Sequence, residues 1–347
     1  MAFKIGNKLI GDNHPVFIIA EMSCNHLQNY DYAVEIIKKA KEAGADAIKL
    51  QTYTPDTMTI DCNNEYFSLK GTIWEGKTLY ELYQEAYTPW EWQPKLKRIA
   101  EELGLIFFST PFDKTAVDFL EELEVPVYKI ASYEITDIPL IDYIAEKQKP
   151  VIFSIGMGTL TDIELVLSTI RSKQNNNIAL LKCVSAYPTP IEETNLSTIK
   201  NIPETFDVIP GLSDHTPTIT TSILSVALGA KIIEKHLTLD RKLRGPDAKF
   251  SLNPEEFKQM VHSVREAEKA LGQVSYALND KQKRSRETAR SLFVVKEIKK
   301  GETFTEENIR SIRPGYGMHP KYYQQILAKR AKEDLERGTP LKWGFIE

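Results

Sequence analysis

The chain has 347 residues, 44 Lys+Arg against 48 Asp+Glu for a formal net charge of −4, and is 42% hydrophobic and 27% charged. That length can bury a core in one large domain or two moderate ones, and the near-neutral balance excludes a protein that grips nucleic acid through a lysine and arginine excess. Cys24, Cys62 and Cys183 have no C-x-x-C spacing, which excludes a disulfide framework or a cysteine-rich zinc site. The first residues show no basic-then-apolar leader, and no apolar run nears the roughly 20 residues of a bilayer span. A soluble cytoplasmic protein with no membrane or nucleic-acid partner is expected.

Short β-branched runs alternate with helical periodicity over the first 275 residues, the pattern of βα units on a parallel sheet. Strands are expected at 16–21, 47–51, 106–110, 127–130, 151–155, 178–183, 208–213 and 232–236. Amphipathic helices are expected at 32–43, 114–123, 140–147, 162–172, 219–228 and 254–271. Gly44, Gly104, Gly229 and Gly272 follow apolar-periodic stretches as C-terminal stops. Eight such units fill about the 250 residues of a (β/α)8 TIM barrel. A doubly wound open sheet would want a GxGxxG after its first strand, and there is none. The connection at 52–88 is long for a βα loop, carries Tyr66, Trp74, Tyr80 and Tyr83, and should hold one helix at 79–86.

Composition changes after Gly272. A barrel domain over 1–275, a linker over 276–289 that includes most of the basic KQKRSRETAR stretch at 281–290, and a small β-rich domain over 290–347 are expected. In the last, Ile298-Lys-Lys-Gly301-x-x-Phe304 parallels Leu335-Glu-Arg-Gly338-x-x-Leu341, a weak internal repeat suggesting pseudo-symmetry.

A barrel places its chemistry at the C-terminal ends of its strands. Those ends give Glu21, Lys49 with Gln51, Thr110, Lys129 with Ser132, Ser154, Lys182 with Ser185 and Tyr187, Ser213-Asp214-His215, and His236. A packing core would not finish almost every apolar strand on a polar side chain. His215 and His236 end neighbouring strands with Glu21 beside them, and two imidazoles plus oxygen ligands suit a divalent ion with open positions. Glu234, on the same strand face as His236, is placed to orient that site. Lys49 and Lys129, with the hydroxyls of Ser132, Ser154 and Ser213, suit a phosphate or carboxylate. The residues alone leave two other readings of the lysines: a Schiff-base amine, or ordinary ion pairs with Asp46, Glu134 or Asp214. Gly156-Met157-Gly158 is a weak signal for backbone N–H groups facing an anion.

AEMSCNH (20–26), DAIKLQ (46–51), YKIASYE (128–134), KPVIFSIGMG (149–158), LLKCVSAYPTP (180–190), GLSDHT (211–216), ALGAKIIEKHLTLD (227–240) and GPD (245–247) run in order along the chain. They resemble the sialic acid synthase family. The C-terminal segment, with RPGYG at 313–317, resembles that family's antifreeze-like (SAF) domain. WEGKTLYELYQEAYTPWEW (74–92), Ser185 and RPGYGMHPK (313–321) are similar to the pseudaminic acid branch. Lys182 and Ser185 stand where N-acetylneuraminate synthases usually carry His and Asn, which argues against N-acetylneuraminate as product.

The resemblance implies a metal-dependent transferase that condenses phosphoenolpyruvate with an amino-sugar aldehyde and water. By position it implies His215 and His236 as ligands of a divalent ion, Mn²⁺ or Mg²⁺, and Glu21 as the acid/base. It assigns phosphoenolpyruvate to Lys49, Lys129, Ser132, Ser154, Ser185, Tyr187 and Ser213, and the sugar to Gln51, Glu134 and Asp247. It also implies a domain-swapped homodimer in which Arg313 reaches the neighbouring subunit's site. A binding module for ice or sugar is the competing class. Lys299, Lys300, Glu302, Glu306 and Glu307 speak against the flat uncharged face that ice binding needs.

Overall fold

The computed structural model describes residues 1–347, which form two compact units, Met1–Gly272 and Gln273–Glu347. In the first, eight parallel strands close into a barrel in chain order: β1 (Phe17–Glu21), β2 (Ala47–Thr52), β3 (Ile106–Pro111), β4 (Tyr128–Ile130), β5 (Val151–Ser154), β6 (Ile178–Lys182), β7 (Ile209–Asp214) and β8 (Ile232–His236). β8 pairs with β1 and completes the ring. The strands are buried on both the interior and the helix-covered face, so they read as nearly continuous apolar runs rather than alternation.

Each strand is followed by a helix: α1 (Tyr30–Ala43), α2 (Gln93–Glu102), α3 (Lys114–Glu122), α4 (Ile138–Glu146), α5 (Leu160–Ser172), α6 (Thr198–Phe206), α7 (Thr220–Ala227) and α8 (Pro254–Leu271). Local chemistry sets their ends. The Asn29 side chain accepts the N–H groups of Asp31 and Tyr32, and Gly44, at φ 89°, returns its N–H to the Ala40 and Lys41 carbonyls. Between these caps Ala33, Ile36, Ile37 and Ala40 form the buried stripe. At α8, Asn253 and Glu256 make a capping box around Pro254, and Phe257, Met260, Val261 and Val264 are buried.

Besides a four-residue helix, Pro55–Met58, in the connection expected to hold only the helix at 79–86, three elements of the first unit lie outside the sequence expectation. α2 starts in the aromatic, proline-flanked PWEWQP, where no periodic stripe precedes it. α6 carries Pro203 inside it and buries only Ile199 and Ile202, so its composition reads as a breaker. The third is an N-terminal antiparallel hairpin, Ala2–Ile5 with Lys8–Gly11, whose Phe3, Ile5 and Ile10 join the barrel core. It sits at the N-terminal strand ends, where Lys8 pairs with Asp46 before β2 and Asp12 pairs with Lys231 before β8.

Asp46 also accepts the Ile18 N–H at 2.8 Å and the Arg265 guanidinium at 3.0 Å. Conserving the fold is the work of this barrel end, and chemistry belongs to the other. Asp46→Ala strands a backbone donor and two cations, and should cost about 2–3 kcal/mol of stability. Denaturation and steady-state kinetics on the same sample should show a lower midpoint with kcat/KM unchanged.

The second unit has the internal symmetry its repeat suggested. Ile298 and Leu335 exchange both backbone hydrogen bonds, at 3.0 and 2.8 Å. Gly301, at φ 83°, donates to the Ala331 carbonyl, and its counterpart Gly338, at φ 93°, donates to Val294. Phe304 and Leu341 are equivalent buried residues, donating to Lys329 and Leu292 respectively. A local two-fold thus relates the pairs 298 and 335, 301 and 338, 304 and 341. A strand pair, Ser291–Val294 with Ile309–Ile312, is antiparallel. The preceding segment forms an exposed helix, Asp280–Ser285, and one further turn. No helix is long and apolar enough to cross a membrane, and all three cysteines are free.

Candidate active site

Most of the strand-end residues converge on one cavity of about 350 Å³. Inward parity explains why. Lys49 and Gln51 on β2, and Glu234 and His236 on β8, share a face because strand side chains alternate. β1 supplies Glu21, β3 Thr110, β4 Lys129, β5 Ser154 and β7 Ser213, with His215 one step beyond β7. Ser132, Glu134, Tyr187 and Asp247, from the loops above, line the same space.

The floor is a buried cluster of two lysines and two carboxylates. Lys49 lies 2.6 Å from Glu21 and 3.8 Å from Glu234, while Lys129 lies 3.9 Å from Glu234. Register fixes these pairs, since Glu21 stands opposite Lys49 across β1 and β2, and Ser213 opposite Glu234 across β7 and β8. Lys129 donates to Ser154 Oγ at 2.6 Å and Ser213 Oγ to Glu234 at 3.1 Å. The partners of the alternative ion-pair reading, Asp46, Glu134 and Asp214, are therefore not the ones Lys49 and Lys129 use. Asp46 lies at the opposite barrel end, and Asp214 pairs with Lys235 at 2.9 Å behind the barrel wall.

Burial pushes the Glu21 carboxyl up to about 7, against the pull of Lys49. Burial works on Glu234 in the same direction, but Lys129 and Lys49 prevail and hold it below the ordinary range. Burial also lowers the Lys129 ammonium. For Lys49 burial is outweighed by Glu21 and Glu234, which raise it. Two like carboxyls pushed apart in this way are how one site provides both a proton-exchanging and a permanently ionised group.

The two histidines face each other with ring centroids 5.2 Å apart, packed against Phe250 and, for His215, Tyr187 at 4.7 Å. His215 Nδ1 is 3.6 Å from Cys183 Sγ. His236 Nδ1 is buried without a hydrogen-bond partner, with Asp247 Oδ2 3.6 Å away. Burial, reinforced by His215, drives His236 well below its usual range and keeps it neutral. A neutral imidazole with an orphaned ring nitrogen beside a second imidazole fits a divalent cation. No group of three His, Cys, Asp or Glu side chains forms a closed protein cage, so remaining positions would fall to substrate and water.

Asp247 accepts the Ser23 hydroxyl at 2.5 Å. Glu134 Oε2 is buried and unpartnered, and burial raises that carboxyl to about 7. Ser185 does not face the cavity directly. Its Oγ is buried without a partner, where a Cβ on Gly156 would come within 2.2 Å of it and 2.8 Å of Ser132 Oγ. Two expectations need correction. The Gly156 N–H is spent on Ser132 Oγ at 2.9 Å, and Gly158 packs on Ile135, so this turn serves packing rather than anion capture. Lys182 has outward parity, donates to the Cys183 carbonyl at 3.1 Å, and lines a separate small crevice. Arg313 belongs to the second unit, where it is exposed.

Sequence reasoning gave Glu234 a supporting part, whereas it touches both lysines, Ser213 and the cavity. Tyr53, Phe112 and Phe250 also line the site and were not singled out. Parity from His236 could have promoted Glu234; nothing local marks the aromatics.

A closed eight-stranded barrel with its polar cluster at the C-terminal strand ends defines a (β/α)8-barrel enzyme. Residues 36–276 match the NeuB family and residues 289–347 the SAF domain. The chain is 45% identical to the pseudaminic acid synthase of Campylobacter jejuni over 98% of each chain. It is 35% identical to the N,N'-diacetyllegionaminic acid synthase of Legionella pneumophila over 99% of this chain and 98% of that one. The crystal structure of the N-acetylneuraminic acid synthetase of Leptospira borgpetersenii superposes with a TM-score of 0.73 at 33% identity, covering 82% of this chain and 95% of that one. The chain belongs to the NeuB family.

Proposed function

We propose that this chain is a pseudaminic acid synthase, joining phosphoenolpyruvate, 2,4-diacetamido-2,4,6-trideoxy-L-altrose and water into pseudaminic acid and inorganic phosphate. The likeness to the Campylobacter enzyme over both full lengths carries this reading, and the charge pattern of the cavity suits it. Phosphoenolpyruvate is a compact polyanion, and Lys49 and Lys129 are the buried cations on the floor. The hydroxyls of Ser132, Ser154 and Ser213 stand within the same cluster as neutral donors.

In the reaction, C3 of the enol attacks the aldehyde carbon, and the aldehyde oxygen takes a proton to become a hydroxyl. C2 is left with cationic character. Water adds there, loses its proton, and the tetrahedral carbon expels phosphate by C–O cleavage. Ionised Glu21 stabilises the positive carbon and accepts the water's proton, while Glu234 keeps both lysines charged. A divalent ion held by His215 and His236, manganese or magnesium, would supply Lewis-acid polarisation of the aldehyde oxygen. Gln51, Glu134 and Asp247 are assigned to sugar hydroxyl and amide groups. The reading includes a cytoplasmic homodimer in which Arg313 serves the neighbouring subunit, supported by the family resemblance and by the free cysteines.

A legionaminic or N-acetylneuraminic acid precursor is the alternative second substrate. The test is kcat/KM for phosphate release with each candidate amino sugar, with the product's mass read alongside. The altrose derivative should lead by at least tenfold; a lead for N-acetylmannosamine would overturn the assignment of the sugar. Subunits carrying Arg313→Ala, inactive alone, should regain activity when mixed with Glu21→Ala subunits, and a merely additive mixture would place Arg313 in its own chain's service.

A further inference from the structure

The connection between β2 and α2 presents the cavity with a surface unlike its floor. Met58, Leu69, Leu79, Leu82 and Ala86 line it from this segment, beside Trp74 and the hydroxyl-bearing Tyr53, Thr72 and Tyr83. None of the segment's charged residues, such as Asp56, Lys70, Glu75 and Glu81, lines the cavity. The segment is also tied down. Leu69 N–H donates to the Lys77 carbonyl at 2.9 Å and Leu79 N–H to the Phe67 carbonyl at 2.8 Å, so the two leucines stand diagonally across the antiparallel Ser68–Thr78 bridge. A capping box of Thr78 and Glu81 starts the helix Leu79–Ala86, which buries Leu82. Trp74 Nε1 donates to the Pro246 carbonyl at 3.1 Å, one residue before Asp247. His26 holds the far end through Thr88 at 3.1 Å.

We propose that this segment is the specificity element of the site, and that its leucine wall selects an amino sugar whose carbon farthest from the aldehyde is a methyl group over one bearing a hydroxyl there. The inference rests on the proposed condensation. The enol phosphate belongs with the floor lysines, so the aldehyde carbon it attacks lies near the floor and the sugar's other end extends away from it, towards the wall. A hydroxyl pressed against Leu69, Leu79 and Leu82 would lose its water and gain no partner from those three side chains, unlike one turned to Tyr53, Thr72 or Tyr83. A methyl there gains burial instead.

The experiment compares kcat/KM for 2,4-diacetamido-2,4,6-trideoxy-L-altrose and its 6-hydroxy counterpart in the wild-type enzyme, Leu82→Ser and Leu69→Ser. Leu69 is only half-buried, so its variant keeps the test open if Leu82→Ser does not fold. A methyl in an apolar pocket is worth about 10–200-fold in kcat/KM. The wild type should favour the deoxy sugar within that range, and the variants should shrink the preference at least tenfold with KM for phosphoenolpyruvate within twofold of the wild type. A preference unchanged in folded variants, or equal losses on both sugars, overturns the wall's role and leaves the condensation standing. A wild type that releases phosphate with neither sugar overturns the condensation and the wall's role with it.

Discussion

Glu21→Gln should lower kcat by about a thousandfold, within the span of about 10²–10⁴ that a positioned acid/base contributes, and should erase the acidic limb of the pH profile. The sign follows from the group's position. Burial raises the carboxyl to about 7, and the ionised form is the one that stabilises the cationic carbon and takes the water's proton. Wild-type kcat/KM should therefore rise with pH up to about 7 and level off, while the Gln variant stays low and flat across that window. A Gln variant that retains the limb would assign it elsewhere, with Glu134, also near 7, the next carboxyl to replace.

Stability should move the opposite way. The folded carboxyl binds its proton more tightly than the ordinary value near 4.5, so its ionisation weighs against the folded state as pH rises from about 4.5 through about 7. At pH 8 the wild type carries that cost and Glu21→Gln does not. The variant should melt higher than the wild type at pH 8 and show little advantage at pH 5. Thermal denaturation at the two values checks this, and a variant less stable at both would show that the Lys49 pair contributes more than burial removes.

Lys129→Met carries the second large effect. The ammonium is buried, bonded to Ser154 Oγ and the Ile130 carbonyl, and lies 3.9 Å from Glu234. Removing it deprives the enol phosphate of one of two floor cations and leaves Glu234 facing Lys49 alone. KM for phosphoenolpyruvate should rise at least a hundredfold, about 3 kcal/mol of lost binding, with a smaller change in KM for the sugar. Part of the fold's loss comes from the stranded carboxylate. Lys129→Met with Glu234→Gln should therefore recover stability without recovering activity, and a double variant with restored activity would contradict the anion-binding part played by Lys129.

The barrel was legible because a strand covered on both faces must be apolar along its whole length, and eight such runs stand out between helix stripes. α6 was not legible because Pro203 weighs against a helix locally, while the Ile199 and Ile202 contacts that secure it come from tertiary structure. The N-terminal hairpin is too short for its period to show. In the site, polar residues ending apolar strands mark the cavity's floor in the sequence itself. Their pairing was not legible. Glu21 meets Lys49, and Glu234 meets both lysines, through the register of adjacent strands, which sequence order does not state. Lys182 shows the cost of ignoring parity: it precedes Cys183, whose thiol reaches His215, and so points the other way. The insertion announced itself by length and aromatic content, but that Leu69 and Leu79 line the cavity along with Tyr53 and Tyr83 depends on the Ser68–Thr78 bridge across its turn, which sequence order does not state.

In the proposed reaction this cavity joins an enol phosphate to a sugar aldehyde by bringing water to carbon. Incubation with phosphoenolpyruvate and the altrose derivative in ¹⁸O-labelled water, with the released phosphate read by ³¹P NMR, tests it most directly. Condensation predicts phosphate only when the sugar is present, and that phosphate free of label because the C–O bond breaks. Phosphate formed without the sugar, or phosphate carrying ¹⁸O, would contradict it.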